Sequence, residues 1–244
     1  MLTSHFEQLA DRLRKAQRIT VLTGAGVSAA SGVPTFRGDG GLWKNYKAED
    51  LATPEAFNRD PRLVWEWYDW RRRLISTCKP NAAHVTLAGL NGRPGFTLIT
   101  QNVDGLHERA GSQDIVRFHG SIWQLRCVDG CCEPWDDLTV PLPELPVKCP
   151  RCGAFARPGV VWFGESIDEG VLRRATASLE CDVFLSVGTS SLVYPAAGLV
   201  HAAKQHGAWA VEINPASTGA AAELDLVIAA PAEEALPKVM GMSG

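Results

Sequence analysis

A chain of 244 residues with a formal net charge of −3 is long enough for one sizeable α/β domain with a smaller companion. The acidic balance excludes a general electrostatic footprint for nucleic acid or anionic membrane, and no stretch approaches the roughly 20 apolar residues of a membrane span. The opening MLTSHFEQLADRLRK is an amphipathic helix pattern that lacks the apolar core of a secretory signal, so the expectation is a cytoplasmic monomer with no membrane and no specific nucleic-acid partner.

The apolar run at 18–23, RITVLT, reads as a strand, and glycines follow it at once. In GAGVSAASG, Gly24, Gly26 and Ala29 fit the G-x-G-x-x-A form, in which glycines let backbone N–H groups approach a phosphate at a helix start. The acid that a dehydrogenase places about 20 residues further on to hold a ribose is missing. In its place stands VPTFRGDGGLW, a glycine-rich loop whose Phe36 and Arg37 suit closure over a bound dinucleotide. Further along, helical patterns occupy 61–76, 82–91, 168–179, 195–206 and 232–240. Strand patterns occupy 96–100, 115–119, 183–188 and 209–213, with a short one at 226–229. Strands alternating with helices predict an α/β fold: a Rossmann-like, doubly wound parallel sheet. Residues 121–158 break the alternation, with four prolines between Pro134 and Pro146 and most of the cysteines, and read as a small inserted module.

Seven cysteines, an odd number with several in close pairs, point to a metal in a reducing compartment. Cys127 and Cys131 form one pair and Cys149 and Cys152 the other, a spacing that closes a tetrahedral, structural zinc site. Cys132 competes with Cys131 as the second ligand, and Cys78 and Cys181 read as core thiols.

The segment VWEWYDWRRRL (64–74) concentrates aromatic and cationic side chains on one predicted helix. At about 100° per residue, Tyr68 and Arg71 fall within about 60° of each other on the inward apolar stripe, while Arg72 and Arg73 point elsewhere, with Asp69 spaced to pair with either. A guanidinium on an apolar face needs an anion. Either a distant carboxylate of the same fold supplies it, or a ligand does. An arginine fork beside a tyrosine hydroxyl suits a carboxylate.

The motifs GAGVSAASGVPTFRG, TQNVDGLH, FHGS, the paired cysteines, VVWFGE, GTSSLVYP and EIN, in this order, resemble the sirtuins, NAD-dependent protein deacylases. The resemblance runs from about residue 20 to the C-terminus. It implies that NAD is a reactant: the acyl-lysine oxygen displaces nicotinamide, giving free lysine and O-acyl-ADP-ribose. It implies His119 as catalytic base, with Asn102 beside it, and an NAD site of Gly24, Ala25, Gly26, Ser28, Thr35, Phe36, Arg37, Trp43, Gln101, Asn102, Asp104, Gly188, Thr189, Ser190, Asn214 and Ala232. Asp104 would accept from the carboxamide, Phe36 would keep water from the nicotinamide, and Gln101 and Asn102 would hold the ribose and an ordered water. Val161, Trp162 and Phe163, an extended stretch with free backbone groups, would pair with the acylated-lysine substrate protein by strand addition. The family's usual cysteine spacing is C-x-x-C, one residue shorter than the first pair here. Tyr68 and Arg71, with Thr35 where many relatives carry Asp and with the small Ala52, resemble the class III members, which remove succinyl, malonyl and glutaryl groups.

The implied organisation is a Rossmann-like NAD-binding domain of residues 1–46, 77–120 and 158–244. A small domain of 47–76 and 121–157 would combine a helical insertion with the zinc module. Two other readings remain: a sirtuin-like protein ADP-ribosyltransferase, and a zinc-ribbon nucleic-acid binder on a Rossmann-like core, which the acidic balance argues against. A plain dehydrogenase is disfavoured by the missing ribose-binding acid.

Overall fold

The computed structural model describes residues 2–34, 46–190, 192–216, 218–219 and 224–241. Strands β1 (Ile19–Thr23), β2 (Phe96–Thr100) and β3 (Val116–Arg117) share a sheet with β7 (Val183–Val187), β8 (Trp209–Ile213) and β9 (Leu226–Ile228). All pairings in it are parallel. The spatial order is β3-β2-β1-β7-β8-β9, the third-second-first-fourth-fifth-sixth arrangement of a Rossmann sheet. β1 and β7 are buried along their whole length because helices cover both faces, which is why they read as unbroken apolar runs rather than alternating ones.

On one face Ile19, Val21, Leu185 and Val187 pack with Leu9 and Leu13 of α1 (Leu2–Lys15), Leu87 of α5 (Ala82–Ala88) and Leu236 of α9 (Ala232–Val239). On the other, Leu22, Ile99 and Phe184 pack with Ala175 of α7 (Glu169–Ala177) and Leu199 and Val200 of α8 (Gly198–Gln205).

A second core lies beside the sheet. It draws Leu51 from α2 (Ala48–Leu51), Phe57 from α3 (Pro54–Arg59), Trp65, Tyr68 and Ile75 from α4 (Pro61–Thr77) and Leu106 from α6 (Leu106–Arg109). Ile122 and Leu125 of β4 (Gly120–Cys127) and Val160 of β6 (Ala156–Val160) complete it. The helix starts are written locally: Thr53 accepts from the Ala56 N–H ahead of Pro54, and Asp60 accepts from the Leu63 N–H ahead of Pro61.

Three local readings change. The third parallel strand is two residues long, not five, although the Phe118 N–H still donates to the Thr100 carbonyl at 2.8 Å. After β1 the chain forms a 3₁₀ helix (Ala25–Ser31) stopped by Gly32 at φ 88°. The aperiodic stretch 121–158 contains an antiparallel sheet of β5 (Trp135–Asp136), β4 and β6. Its strands lack a clean alternation because the β4–β6 register shifts between Ser121 and Leu125 and because Arg126 and Arg157 stand in the pairing.

The switch in strand order lies between β1 and β7, and the turns after these strands touch there. A Cβ on Gly26 would fall 2.7 Å from the Gly188 carbonyl oxygen, and one on Gly24 2.8 Å from the Thr189 Cα. Gly188 itself sits at φ 60°. Gly26→Ala therefore forces backbone apart rather than filling space, and a loss of about 1–3 kcal/mol is expected in urea unfolding.

Candidate active site

The carboxyl ends of β1, β2 and β7 open into the crevice where Rossmann sheets bind ligands. Two turns line it, Gly24–Ser28 and Gly188–Ser190, and the Gln101–Gly105 segment closes its floor. The Gln101 amide donates to Thr189 Oγ1 at 2.9 Å, and the Asn214 amide donates to the Thr189 carbonyl at 2.9 Å. Ala232 is buried at the first position of α9, just past β9. Ser190 is half-buried in the turn after β7. Ala25 lies in the first turn. Thr35, Phe36, Arg37 and Trp43 lie outside the described residues.

Ser28 is fully buried and organises the floor. Its hydroxyl donates to Asp104 Oδ2 at 2.8 Å and lies 3.3 Å from His84 Nε2. Asn102 Nδ2 donates to the Gly24 carbonyl and to Ser28 Oγ, both at 3.1 Å. Those two bonds use both hydrogens of the Asn102 amide, so its Oδ1 is the end that offers an acceptor. Asp104 Oδ1 takes the Leu106 N–H at 2.8 Å, and the Asp104 carbonyl takes the Trp123 indole N–H at 2.6 Å. Burial pushes the Asp104 carboxyl above its usual range, against the pull of the Leu106 and Ser28 bonds.

His119 is half-buried in the turn between β3 and β4. Its Nδ1 lies 3.1 Å from the Gln101 carbonyl, which can only accept. That bond fixes the proton on Nδ1 and leaves the Nε2 lone pair available. Burial lowers its pKa below 6.5, outweighing the carbonyl bond that raises it, so the ring is neutral at pH 7.

Two buried histidines escaped the sequence reading. His84 and His107 stand with ring centroids 4.8 Å apart behind Ser28, and His107 Nε2 lies 3.0 Å from Thr23 Oγ1. His84 occupies the third position of α5 behind its Asn81 cap, and His107 closes the TQNVDGLH motif. The only signal for them was proximity to motifs, since burial of a single histidine leaves no periodicity. Burial holds His84 at about 3, aided by His107, and His107 at about 4.

Three expected substrate-site residues, Tyr68, Ala52 and Trp162, meet in the second core, with the exposed Phe163 beside them. Tyr68 is buried, and its hydroxyl accepts the Trp162 indole N–H at 2.8 Å. The Phe163 N–H donates to the Ala52 carbonyl at 2.9 Å. Arg71 is half-buried on the same helix, with its guanidinium 5.1 Å over the Trp67 ring. Burial lowers the Arg71 pKa, opposed by Tyr68 and Asp104 nearby, so the fold surrounds this charge with partners rather than leaving it alone.

Two readings of this region are corrected. Arg72, placed on the wheel away from the apolar stripe, is fully buried, because α4 is embedded on two sides. Its Nη2 reaches the Asp137 carbonyl and Oδ1, both at 2.5 Å, while Asp69 pairs with Arg73 at 2.7 Å. The backbone of 161–163 is not free: the Val161 N–H donates to the His119 carbonyl and the Trp162 N–H to Glu165 Oε2, besides the Phe163 bond.

The sulfurs of Cys127, Cys131, Cys149 and Cys152 all lie within 4.8 Å of one another. Cys127 and Cys152 are 3.5 Å apart, as are Cys131 and Cys149. Thiolates around a tetrahedral zinc at about 2.3 Å stand about 3.8 Å apart, so this set fits the ion with four protein ligands and no open position. Cys131, not Cys132, belongs to the four-sulfur group, although Cys132 Sγ comes within 3.8 Å of Cys149 Sγ.

With this geometry in place, residues 24–195 match the Sir2 family model. The chain is a sirtuin. It is 53% identical over 223 residues, 91% of this chain and 93% of the relative, to the NAD-dependent protein deacylase of Aquifex aeolicus (strain VF5). It is 49% identical over 235 residues, 95% of this chain and 93% of the relative, to NAD-dependent protein deacylase 2 of Pyrobaculum aerophilum. A Sir2 homolog solved as an NAD complex superposes with TM-score 0.91 at 43% identity, covering 97% of this sirtuin and 93% of that chain. No helix among the described residues is long and apolar enough to cross a membrane.

Two outcomes follow. Cys131→Ser is expected to abolish stoichiometric zinc in the purified sirtuin, whereas Cys132→Ser retains it, as read by metal analysis. The buried histidines make stability pH-dependent in a stated direction. Below 6.5 the unfolded chain binds protons that folded His84 and His107 refuse, so their contribution is full above pH 6.5 and is lost as pH falls towards 3. Each contributes a slope of up to about 1.4 kcal/mol per pH unit, and His107→Asn should flatten urea-unfolding stability between pH 6.5 and 4 by its share.

Proposed function

We propose that the protein is an NAD-dependent protein-lysine deacylase that prefers acyl groups ending in a carboxylate, succinyl and malonyl above acetyl. Family membership and relatives bearing the deacylase name at 53% and 49% identity support the reaction class. The observation that supports the acyl preference is the meeting of Tyr68, Trp162 and Ala52 in one buried core, with Arg71 within electrostatic reach of Tyr68 and Asp104.

Bound NAD supplies the electrophilic ribose carbon and nicotinamide as its leaving group. The chain's residues supply the rest. Asp104 presents a buried carboxylate, oriented by Ser28 and the Leu106 N–H, to accept from an amide NH₂. Asn102 Oδ1 accepts from a water or hydroxyl. His119 Nε2, neutral and fixed in tautomer by the Gln101 carbonyl, takes a hydroxyl proton. The turns at Gly24–Ser28 and Gly188–Ser190 bring backbone close enough to hold the dinucleotide. Cys127, Cys131, Cys149 and Cys152 would hold structural zinc. Thr35, Phe36, Arg37 and Trp43 lie outside the described residues and are assigned to the dinucleotide by the family resemblance alone.

Acidic-acyl recognition rests on Arg71 and Tyr68 as donors, with Ala52 leaving room for the longer chain. Acetyl, malonyl, succinyl and glutaryl forms of one peptide, turned over with NAD, test the reading by kcat/KM. Succinyl or malonyl is expected to exceed acetyl. Arg71→Met should cut desuccinylation by at least about tenfold more than deacetylation, since a charged hydrogen bond is worth about 1.5–3 kcal/mol. Equal losses on both substrates remove the acidic-acyl assignment and leave the deacylase one standing.

A further inference from the structure

The indole of Trp162 is held on every side. Its ring lies under the Arg157 guanidinium, 3.3 Å from Cζ to ring centroid, and 5.3 Å from the Phe57 ring. Arg157 is itself locked, donating to Glu165 Oε1 at 2.6 Å, to Glu165 Oε2 at 2.8 Å and to the Val160 carbonyl at 3.1 Å. Arg126 adds a second guanidinium to Glu165 at 3.1 Å. Glu165 Oε2 also accepts the Trp162 backbone N–H at 2.8 Å, and the Glu165 N–H returns to the Trp162 carbonyl at 3.0 Å. Backbone and ring of Trp162 are thus fixed by one carboxylate and the arginine stacked on the indole.

What this rigid indole does is directional. An indole N–H can only donate, so the 2.8 Å contact makes the Tyr68 oxygen the acceptor. The phenol's own hydrogen is then turned away from Trp162, and among the described residues none accepts it. Burial pushes the phenol up to about 12, so that hydrogen stays in place at any working pH.

We infer that Trp162 is a positioning residue for acyl selectivity: its N–H orients the Tyr68 hydroxyl as a donor toward the terminal carboxylate of the acyl chain. This rests on the acidic-acyl reading above. Without the indole N–H, the phenol rotor turns freely and can present a lone pair to the carboxylate, which repels it. The acetyl group carries no such carboxylate, so the effect appears as a change in the ratio of the two activities rather than as a common loss.

The test compares kcat/KM for succinyl and acetyl forms of one peptide across four proteins. These are the wild type, Trp162→Phe, Tyr68→Phe and the double variant. A fifth protein carries 3-benzothienylalanine at position 162, which keeps the bicyclic shape and lacks the N–H, so it remains informative where Trp162→Phe fails to fold. The expected result is a roughly tenfold fall in the succinyl-to-acetyl ratio for the benzothienyl protein and Trp162→Phe, a fall at least as large for Tyr68→Phe, and no further fall in the double variant. A ratio unchanged in the benzothienyl protein, or losses that multiply in the double variant, overturns the role of Trp162 and leaves the acidic-acyl reading intact. A wild type that shows no preference for succinyl overturns both.

Discussion

The segment from Gln101 to Gly105 is bonded to both halves of the molecule, and the placement of the site depends on that double grip. From the Rossmann side, Ser28 holds the Asp104 carboxylate and the Asn102 amide. From the small antiparallel sheet, the Ile122 N–H donates to the Val103 carbonyl at 3.0 Å and the Trp123 indole N–H donates to the Asp104 carbonyl at 2.6 Å. Trp123 packs so close that a Cβ on Gly105 would meet its Cδ1 at 2.8 Å. Behind Trp123 stands the Arg72 guanidinium, 5.1 Å from the ring, tied to Asp137 just past β5. The four-cysteine cluster joins this route, because Cys127 closes the same β4 strand that carries Trp123.

The polar floor is costly to build and therefore informative. Ser28, Asp104, His84 and His107 are all buried, and unsatisfied groups at such depth cost free energy with no return. The fold meets the cost by sharing: Ser28 alone lies within hydrogen-bonding distance of three side chains. His107 Nδ1 is an exception, buried without a partner. Burial holds both of these histidines neutral at pH 7.

The sheet was readable from sequence because parallel strands buried on both faces leave unbroken apolar runs, and β1, β2, β7 and β8 fall within one residue of their expected bounds. The cysteine spacing was readable because metal ligands must recur at short intervals, though only the sulfur positions separate Cys131 from Cys132. Arg72 was misplaced because a wheel assumes one buried stripe, whereas α4 is covered on two sides. The strands β4 and β6 were missed because their pairing is interrupted and their arginines point at Glu165 rather than at solvent. His84 and His107 leave no pattern at all, since a single buried imidazole is recognised only by what surrounds it.

Arg71 shows why a charge counted along a helix is not yet a binding site. On the sequence it has no carboxylate within helical reach, which made an incoming anion the natural partner. In the fold, the Trp67 ring, the Tyr68 hydroxyl and the Asp104 carboxylate share its field. An acyl carboxylate on the proposed reading therefore enters a field already shared, and its gain is the difference between its own bonds and those the fold supplies. Such a difference is small unless the donors are fixed before the ligand arrives, because each rotor frozen on binding subtracts from it. On that reading, rigidity around the donors decides selectivity more than the presence of a positive charge does. The region proposed for the acyl chain has that rigidity: a buried tyrosine, an indole stacked beneath an arginine, and a carboxylate joining that arginine to the indole's own backbone.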